Sequence, residues 1–594
     1  MSNRRTFLKR GAVLAMGSVS ASLGNSIKGS RAGFVENYRY ESGVESYSTK
    51  IPHTLDLAER CKLALRGIAG TSDPELYGQQ WFSTNWAVKT PYLSHNASDA
   101  TCTPKFAESF PLLRWASGSK EYIDLEQYQM ENLVSNIDDN DGLYYAVWKP
   151  DRPWHAAYLF DERSREDFAW VGGVGRMMRA MMTWRQRDGN TEWDHKIRKM
   201  ARGLSNIAVY KKNYAYYPDA GHGVQFAYPK SGWRHKREPM SDVESREGSV
   251  VDSIGHTAYA LSRWYRMSGD QEALILARKI TRFMMLPKMW GGLVEEISVN
   301  GSEQGHFHTH PHGHMVGLRG ILETGWADQD SRALEFVKRA YEGLRRYMIP
   351  RIGWFPSNGV GEAGFAMEAC SLGDLCALGI RLSDLRLGDY WEDVDSLVRN
   401  MMMEQQLTDL EILQSISQRA LGGGPSSSMV NRETVEKMPN RIVGLFASFS
   451  LSNSLPPSGI MGCCSGNSTQ GLYFAWEGAL RCDHNTATIN LLLNRVSPLV
   501  DVDSYIPHQG KVLIHNKEAR RCFVRILSWI DKTQLKVSVV GKLRPHLWAG
   551  NYLMIDQIKP GDEIVLEFPI PESKASYTVH HKVWRKEKKV TYTF

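Results

Sequence analysis

A helix–turn–helix unit recurs along the chain from about residue 55 to residue 480, and it restricts the fold more than any other feature. In each unit an apolar-periodic helix ends at a small polar turn and a second helix follows. The turns are Gly118-Ser119-Lys120-Glu121, Gly189-Asn190-Thr191-Glu192, Gly269-Asp270-Gln271-Glu272, Asp328-Gln329-Asp330-Ser331 and Gly388-Asp389-Tyr390-Trp391. Gly ends the first helix and a polar residue can cap the next. The turns return every roughly 60 to 80 residues, which suits two long helices with their loops. Within one unit, Ala258, Leu261, Trp264 and Tyr265 form a stripe at helical spacing, and Ala273, Leu274, Ile280 and Phe283 resume it after the turn. Stacked helical hairpins must bury these faces on one another, as an open solenoid or as a closed double ring. The polar and aromatic chemistry gathered in the inter-unit loops favours the closed form. The expectation is an (α/α)6-type helical toroid over residues 31–484.

The pattern changes near residue 485. Short β-branched runs follow at Thr486 to Leu492, Cys522 to Leu527, Leu535 to Val540, Glu563 to Ile570 and Val590 to Phe594. Turn signals such as Pro560-Gly561-Asp562 separate them. These predict a C-terminal antiparallel β-sandwich over 485–594. Between the two parts, Gly422 to Asn467 reads as a loop rich in Gly, Ser and Asn; long loops of this kind inside a domain tend to be functional or disordered.

Charge sets aside one class of partner. The net charge is +7 over 594 residues, and no basic stripe marks a nucleic-acid groove. The N-terminus is a targeting signal of another kind. Arg4-Arg5-Thr6-Phe7-Leu8-Lys9 precedes a weakly apolar stretch, Gly11 to Leu23, and resembles a twin-arginine export signal over 1–30. That stretch is too short and too rich in Gly and Ser to span a bilayer stably. The mature protein is therefore expected in the periplasm or outside the cell, with no stable membrane span. The twin-arginine route carries folded proteins, so reduced cysteines and a metal loaded in the cytoplasm are compatible with export. Of the eight cysteines, Cys463 and Cys464 are adjacent, and neighbouring cysteines rarely bond to each other.

Those two cysteines are part of the constellation that carries chemistry. Glu368-Ala369-Cys370 and Cys463-Cys464 together offer three thiolates and a carboxylate, sufficient for a tetrahedral Zn2+ site. A helix starting near Ser371 would turn its N-terminal dipole toward the Cys370 thiolate. The bland alternative is three buried free cysteines. Upstream lies Gly361-Glu362-Ala363.

These motifs resemble glycoside hydrolase family 127, the β-L-arabinofuranosidase family. Glu-x-Cys followed well downstream by Cys-Cys is the specific part of the likeness. Gly361-Glu362-Ala363 is similar to the family's segment around its acid/base glutamate, and Gly313-His314-Met315-Val316 to its segment around a substrate-contacting histidine. Ile489-Asn490-Leu491, Asn551 to Ile555 and Gly561-Asp562-Glu563-Ile564 resemble its first sandwich. The likeness runs over roughly residues 110 to 570. It implies a retaining, double-displacement glycosidase with Cys463 as nucleophile. It further implies zinc held by Glu368, Cys370, Cys463 and Cys464, Glu362 as acid/base and His314 on the sugar. The substrate implied is a β-L-arabinofuranoside or a related terminal sugar of an oligosaccharide or polysaccharide side chain. The chain departs from the family in its short Glu362-to-Glu368 spacing, its long loop before Cys463 and the absence of a second sandwich.

The run His306-Phe307-His308-Thr309-His310-Pro311-His312-Gly313-His314 sets several imidazoles on one face if extended. It reads as a pocket-lining loop, with His312 and His314 on sugar hydroxyls, or as a second metal site. His256 opens a helix and is a further substrate candidate. Trp170, Trp290 and Trp354 suit sugar stacking and core packing equally. Two rival functions stay open on the same pattern: a polysaccharide lyase using a Tyr or His base, and a non-catalytic exported carbohydrate-binding protein with structural zinc.

Overall fold

The computed structural model describes residues 52–95, 102–150, 166–218, 227–242, 250–290, 311–356, 366–426, 432–451, 459–583 and 586–594, and the two short segments Phe7–Leu8 and Val44–Glu45. The rest of the export signal, Glu362 and the histidines from His306 to His310 lie outside them. The described residues fall into two compact units.

The first unit is helical. In chain order its helices are α1 (Leu57–Gly70), α2 (Thr103–Ser117), α3 (Ile123–Ser135), α4 (Val171–Asp188), α5 (Glu192–Ile207), α6 (Val250–Ser268) and α7 (Gln271–Met284). They continue as α8 (Pro311–Asp328), α9 (Ser331–Arg345), α10 (Ala369–Asp384), α11 (Trp391–Ser396), α12 (Met403–Gln405), α13 (Leu410–Arg419) and α14 (Gly462–Gly478). All five expected turns sit between paired helices. Gly118 and Gly189 take left-handed conformations, and their N–H groups reach the Arg114 and Arg185 carbonyls. Asp330 caps α9, accepting from the Arg332 and Ala333 amides.

Six helices close a ring, and close contacts mark each step around it. Trp184 on α4 donates from Nε1 to the Ala107 carbonyl of α2, at 2.9 Å. Thr257 on α6 donates to the Val171 carbonyl of α4, also at 2.9 Å. On α8, a Cβ at Gly320 would lie 2.5 Å from the Gly255 oxygen of α6. Arg319 on α8 bonds Asp374 on α10 at 2.5 Å. A Cβ at Gly373 of α10 would lie 2.4 Å from the Asn467 oxygen of α14. Ser109 on α2 donates to the Gly466 carbonyl of α14 at 3.2 Å, which completes the circuit. Glycine at these crossings lets backbones approach where any side chain would collide.

The ring helices are buried on nearly all sides. Most residues of α2, α4, α8 and α10 are buried. The alternating helices bury one stripe only, as α5 does with Ile197, Met200, Ala201, Leu204 and Ile207. This is the closed double ring rather than the open solenoid.

The second compact unit, built mainly of Trp476–Ser573, holds two sheets. In spatial order the first comprises Leu480–Asp483, Thr486–Ile489, Arg521–Arg525, Tyr552–Asp556 and Leu547–Ala549. The second comprises Arg495–Val496, Val500–Ser504, Lys511–Asn516, Glu563–Glu567, Lys536–Val539 and Lys542–Leu543. Lys511–Asn516 alternates half-buried and buried residues, the pattern of a strand with one face on a core. That core draws on Val500, Val502, Val512, Ile514, Ile564 and Leu566 from one sheet and Ala487, Ile489, Cys522, Val524, Leu553 and Ile555 from the other.

Three details depart from the sequence expectation. The pair Thr486–Ile489 and Arg521–Arg525 is parallel, not antiparallel. The chain between them visits the other sheet and returns in the same direction, and such a crossover yields a parallel pair. The first strand begins at Leu480, within the stretch assigned to the toroid. The C-terminal strand Lys586–Thr593 pairs with Ser576–Val583 in a two-stranded sheet of its own rather than within the sandwich sheets.

Candidate functional site

The helical unit places its reactive side chains at the starts of ring helices. Cys370 is the second residue of α10, with Glu368 at its N-cap position. Cys463 and Cys464 are the second and third residues of α14. His312 and His314 lie in the first turn of α8. Lys105 and Glu108 lie in the first two turns of α2. Helix N-termini carry partial positive charge and unpaired N–H groups, so this arrangement favours anionic groups, thiolates among them.

Short strands fix the two cysteine-bearing starts. Met367–Glu368 pairs with Phe449–Ser450, and Ile460–Met461 pairs with Ser83–Asn85. Ser448 ties the two together. Its carbonyl accepts from the Ala369 amide at 2.9 Å, and its hydroxyl accepts from the Met461 amide at 2.7 Å. Sequence reasoning missed Ser448, because a serine inside a Gly/Ser-rich loop carries no local signal.

The result brings together residues that are far apart in sequence. The donor atoms of Cys370, Cys463 and Cys464 lie within 4.8 Å of one another, as do those of His312, Glu368 and Cys370. Cys463 Sγ is 3.9 Å from Cys464 Sγ, and Cys464 Sγ is 3.7 Å from Glu368 Oε1. Cys370, Cys464 and Glu368 are buried, while Cys463 is half-buried. None of the eight cysteines forms a disulfide.

The electrostatics follow from this crowding. Hydrogen bonds from Cys370 and Cys464 hold the Cys463 thiol well below its ordinary range, with the charges of Lys105 and His312 adding to them. Burial pushes Cys370 well up, and its contacts with Cys463 and Cys464 act in the same direction. At Cys464 the bond from Cys370 pulls down, but Cys463 and burial outweigh it. By themselves, the three sulfurs therefore favour ionisation at Cys463 and oppose it at Cys370 and Cys464. A thiophilic divalent cation is what would let all three ionise together. Three thiols and a carboxylate at this spacing fit zinc by donor type and number.

His312 belongs to this cluster, which the sequence had not separated from sugar contact. Its Nε2 lies 3.0 Å from Asp374 Oδ2 and 2.7 Å from Asn467 Nδ2. A histidine braced by a carboxylate is the usual outer arrangement around a metal ligand. Burial alone would raise the Asp374 carboxyl, but Arg319 and then His312 hold it below the usual carboxylate range. His314 takes a different partner, with Nε2 2.8 Å from Asp242 Oδ2 and its ring 5.4 Å from that of Trp290.

The other candidates are buried among protein partners. Arg176 Nη2 lies 2.7 Å from His256 Nε2, and Asp252 is 3.3 Å from the same nitrogen. Burial, then the Arg176 charge, keeps His256 well below its ordinary range. Trp354 is 1% exposed and donates to the Ser450 carbonyl at 3.3 Å. Trp290 is 1% exposed and donates to the Met284 carbonyl at 2.6 Å. Trp170 is 2% exposed and donates to Ser253 Oγ at 3.0 Å. Each indole N–H is thus satisfied by the protein itself.

Charged side chains that the sequence did not single out are paired on the ring helices. Arg179 bonds Glu108 at 3.0 Å and Gln470 at 2.9 Å, and Arg263 reaches Glu108 at 3.4 Å. Lys105 Nζ donates to the Cys463 carbonyl at 3.2 Å. Buried lysine, arginine and glutamate inside otherwise apolar helices are the signal that would have found them.

No protein-family profile matches the chain, and no curated protein is similar to it in sequence. Solved structures do match. A GH127 β-arabinofuranosidase superposes with a TM-score of 0.54 at 14% identity, over 88% of this chain and 77% of that one. A GH127 β-L-arabinofuranosidase from Geobacillus stearothermophilus T6 gives 0.50 at 13% identity, over 88% and 77%. A protein titled glycoside hydrolase gives 0.51 at 12% identity, over 88% and 84%. The described residues contain no helix long and apolar enough to cross a membrane. A closed helical toroid with a β-sandwich, this chain has the fold of the GH127 β-arabinofuranosidases.

Proposed function

We propose that the chain is a retaining exo-glycoside hydrolase, acting on β-L-arabinofuranosides or a related terminal sugar, with Cys463 as its nucleophile. The observation that carries this is the convergence of Cys370, Cys463 and Cys464 with Glu368 at the helix starts of a GH127-like ring. Glu368, Cys370, Cys463 and Cys464 would hold zinc. When bound, the metal keeps the Cys463 sulfur ionised at neutral pH.

The chain's own residues divide the remaining work. Cys463, the most accessible of the three cysteines, attacks the anomeric carbon and forms a thioglycosyl intermediate. Glu362 protonates the departing oxygen and then draws a proton from the water that releases the sugar. His314, braced by Asp242, hydrogen-bonds a sugar hydroxyl. His312, braced by Asp374, sits against the sulfur cluster. Trp354, Trp290, Trp170 and His256 support the walls of the site. The paired arginines near the N-terminus would send the folded protein out of the cytoplasm with its metal already in place.

The test is elemental analysis together with turnover of aryl glycosides, on wild-type and Cys463→Ser protein. The reading expects about one zinc per chain in the wild type. It also expects a loss of at least a thousandfold in turnover in the variant, with helical content unchanged. Turnover that survives Cys463→Ser would defeat the nucleophile assignment. An unsaturated product absorbing in the near ultraviolet would replace the reading with a lyase. Bound zinc without turnover of any pentoside or hexoside would favour a binding protein.

A further inference from the structure

The donor set carries more charge than a divalent ion can cancel. Three thiolates and one carboxylate bring four negative charges, and a divalent cation leaves two uncompensated in a pocket where three of the four donors are buried. Uncompensated buried charge is costly, so a counter-charge is required nearby.

The arginines nearby each have a carboxylate partner. Arg179 and Arg263 share Glu108, and Arg319 faces Asp374. Lys105 is different. It is 2% exposed, and among the described residues no carboxylate lies within ion-pair distance of its ammonium. Its Nζ donates to the Cys463 carbonyl at 3.2 Å. Its stem is pressed against α14, where a Cβ at Gly466 would lie 3.0 Å from Lys105 Cβ. An ammonium buried without a carboxylate partner is rare in a folded protein, because it pays desolvation with no ionic return. Here its hydrogen-bond partner is the backbone of Cys463, a member of the sulfur cluster.

We infer that Lys105 is the built-in counter-charge of the metal–thiolate centre, a positioning residue that raises the site's affinity for a divalent cation by offsetting the excess charge of its ligands. The inference rests on the metal–thiolate reading above. It makes Lys105 worth more in the zinc-loaded protein, where the cluster carries its full negative charge, than in the metal-free protein. A lysine serving only to pack α2 against α14 would matter equally in both states.

The test uses the full chain, with zinc affinity measured by competition against a chelator and the melting midpoint of the metal-free protein measured alongside. Lys105→Met is expected to weaken zinc binding by fivefold or more, while the metal-free midpoint falls less than that of the zinc-loaded protein. A loss below fivefold overturns the inference. So does a metal-free midpoint that falls as far as that of the zinc-loaded protein. Should Lys105→Met fail to fold, Lys105→Gln is measured against the same criteria. Wild-type protein that binds no zinc defeats the metal–thiolate reading instead, so the two failures are distinguishable.

Discussion

The two units treat the same residue type in opposite ways. In the sandwich, Cys522 lies in an apolar core with Ala487, Val524 and Ile555, and burial pushes its thiol up to about 12. In the helical unit, Cys370, Cys463 and Cys464 face one another, a carboxylate and an imidazole. Both groups are largely buried; what differs is the neighbours. The sandwich core excludes polar partners, so its cysteine acts as a small hydrophobe. The ring brings polar groups together where helices begin, so its cysteines become a donor set.

Metal removal would sharpen this contrast most. If zinc is bound at a thousandfold over its dissociation constant, stripping it costs the helical unit about 4 kcal/mol. Hydrogen exchange should then quicken in α10 and α14, with the sandwich strands unchanged. Equal quickening in both units would break the comparison.

Backbone crowding comes next. Gly373→Ala sets a methyl 2.4 Å from the Asn467 oxygen, and separating α10 from α14 is expected to cost about 3 kcal/mol. It should also weaken zinc binding, since Cys370 and Cys464 lie on those two helices. In the sandwich unit, Gly541→Ala meets no atom within 4 Å and carries only the strain of φ +71, about 1 kcal/mol. Denaturant midpoints of the two variants check the ordering.

Ser448→Ala removes the hydroxyl that accepts from the Met461 amide, and about 1 kcal/mol with it. Cys522→Ala, which leaves a small cavity in the sandwich, is expected to cost about the same. Only the first should change zinc affinity, because Ser448 joins the two cysteine-bearing starts whereas Cys522 lies in the sandwich core. A change in affinity with Cys522→Ala would contradict the separation.

The smallest effect is one of pH, at the sandwich rim. The hydrogen bond to Asp503 raises His515 above its ordinary value of 6.5, against a smaller opposing effect of burial. A raised folded-state value contributes stability that is fully present below about pH 6.5 and is lost as pH rises through the folded value. Melting curves of wild type and His515→Gln should therefore differ more at pH 6 than at pH 9. A difference that is constant with pH would leave the pair without an ionic role.

Much of the architecture was legible because it is local. The glycine-marked turns sit at the hairpin tips, since a helix needs a left-handed exit and a capped restart whatever surrounds it. Short β-branched runs between turn signals marked the sandwich strands for the same reason. The parallel pair at Thr486–Ile489 was not legible, because strand direction depends on where the intervening chain has been. In the site, Glu368, Cys370, Cys463 and Cys464 stood out by residue type and motif. Lys105, Asp374, Asn467 and Ser448 did not, since each gains its meaning from a partner far away in sequence.

The sequence by itself therefore determined the helical hairpins, the sandwich strands and the identity of the soft donor atoms, all matters of local spacing and side-chain chemistry. Tertiary structure decided that the ring closes and that the cysteines of α10 and α14 meet. It also decided that His312 faces the cluster with Asp374 behind it, and that Lys105 is buried beside Cys463. Those outcomes depend on which backbones can approach at the glycine crossings and on which charges share a water-poor interior, and no local pattern encodes either.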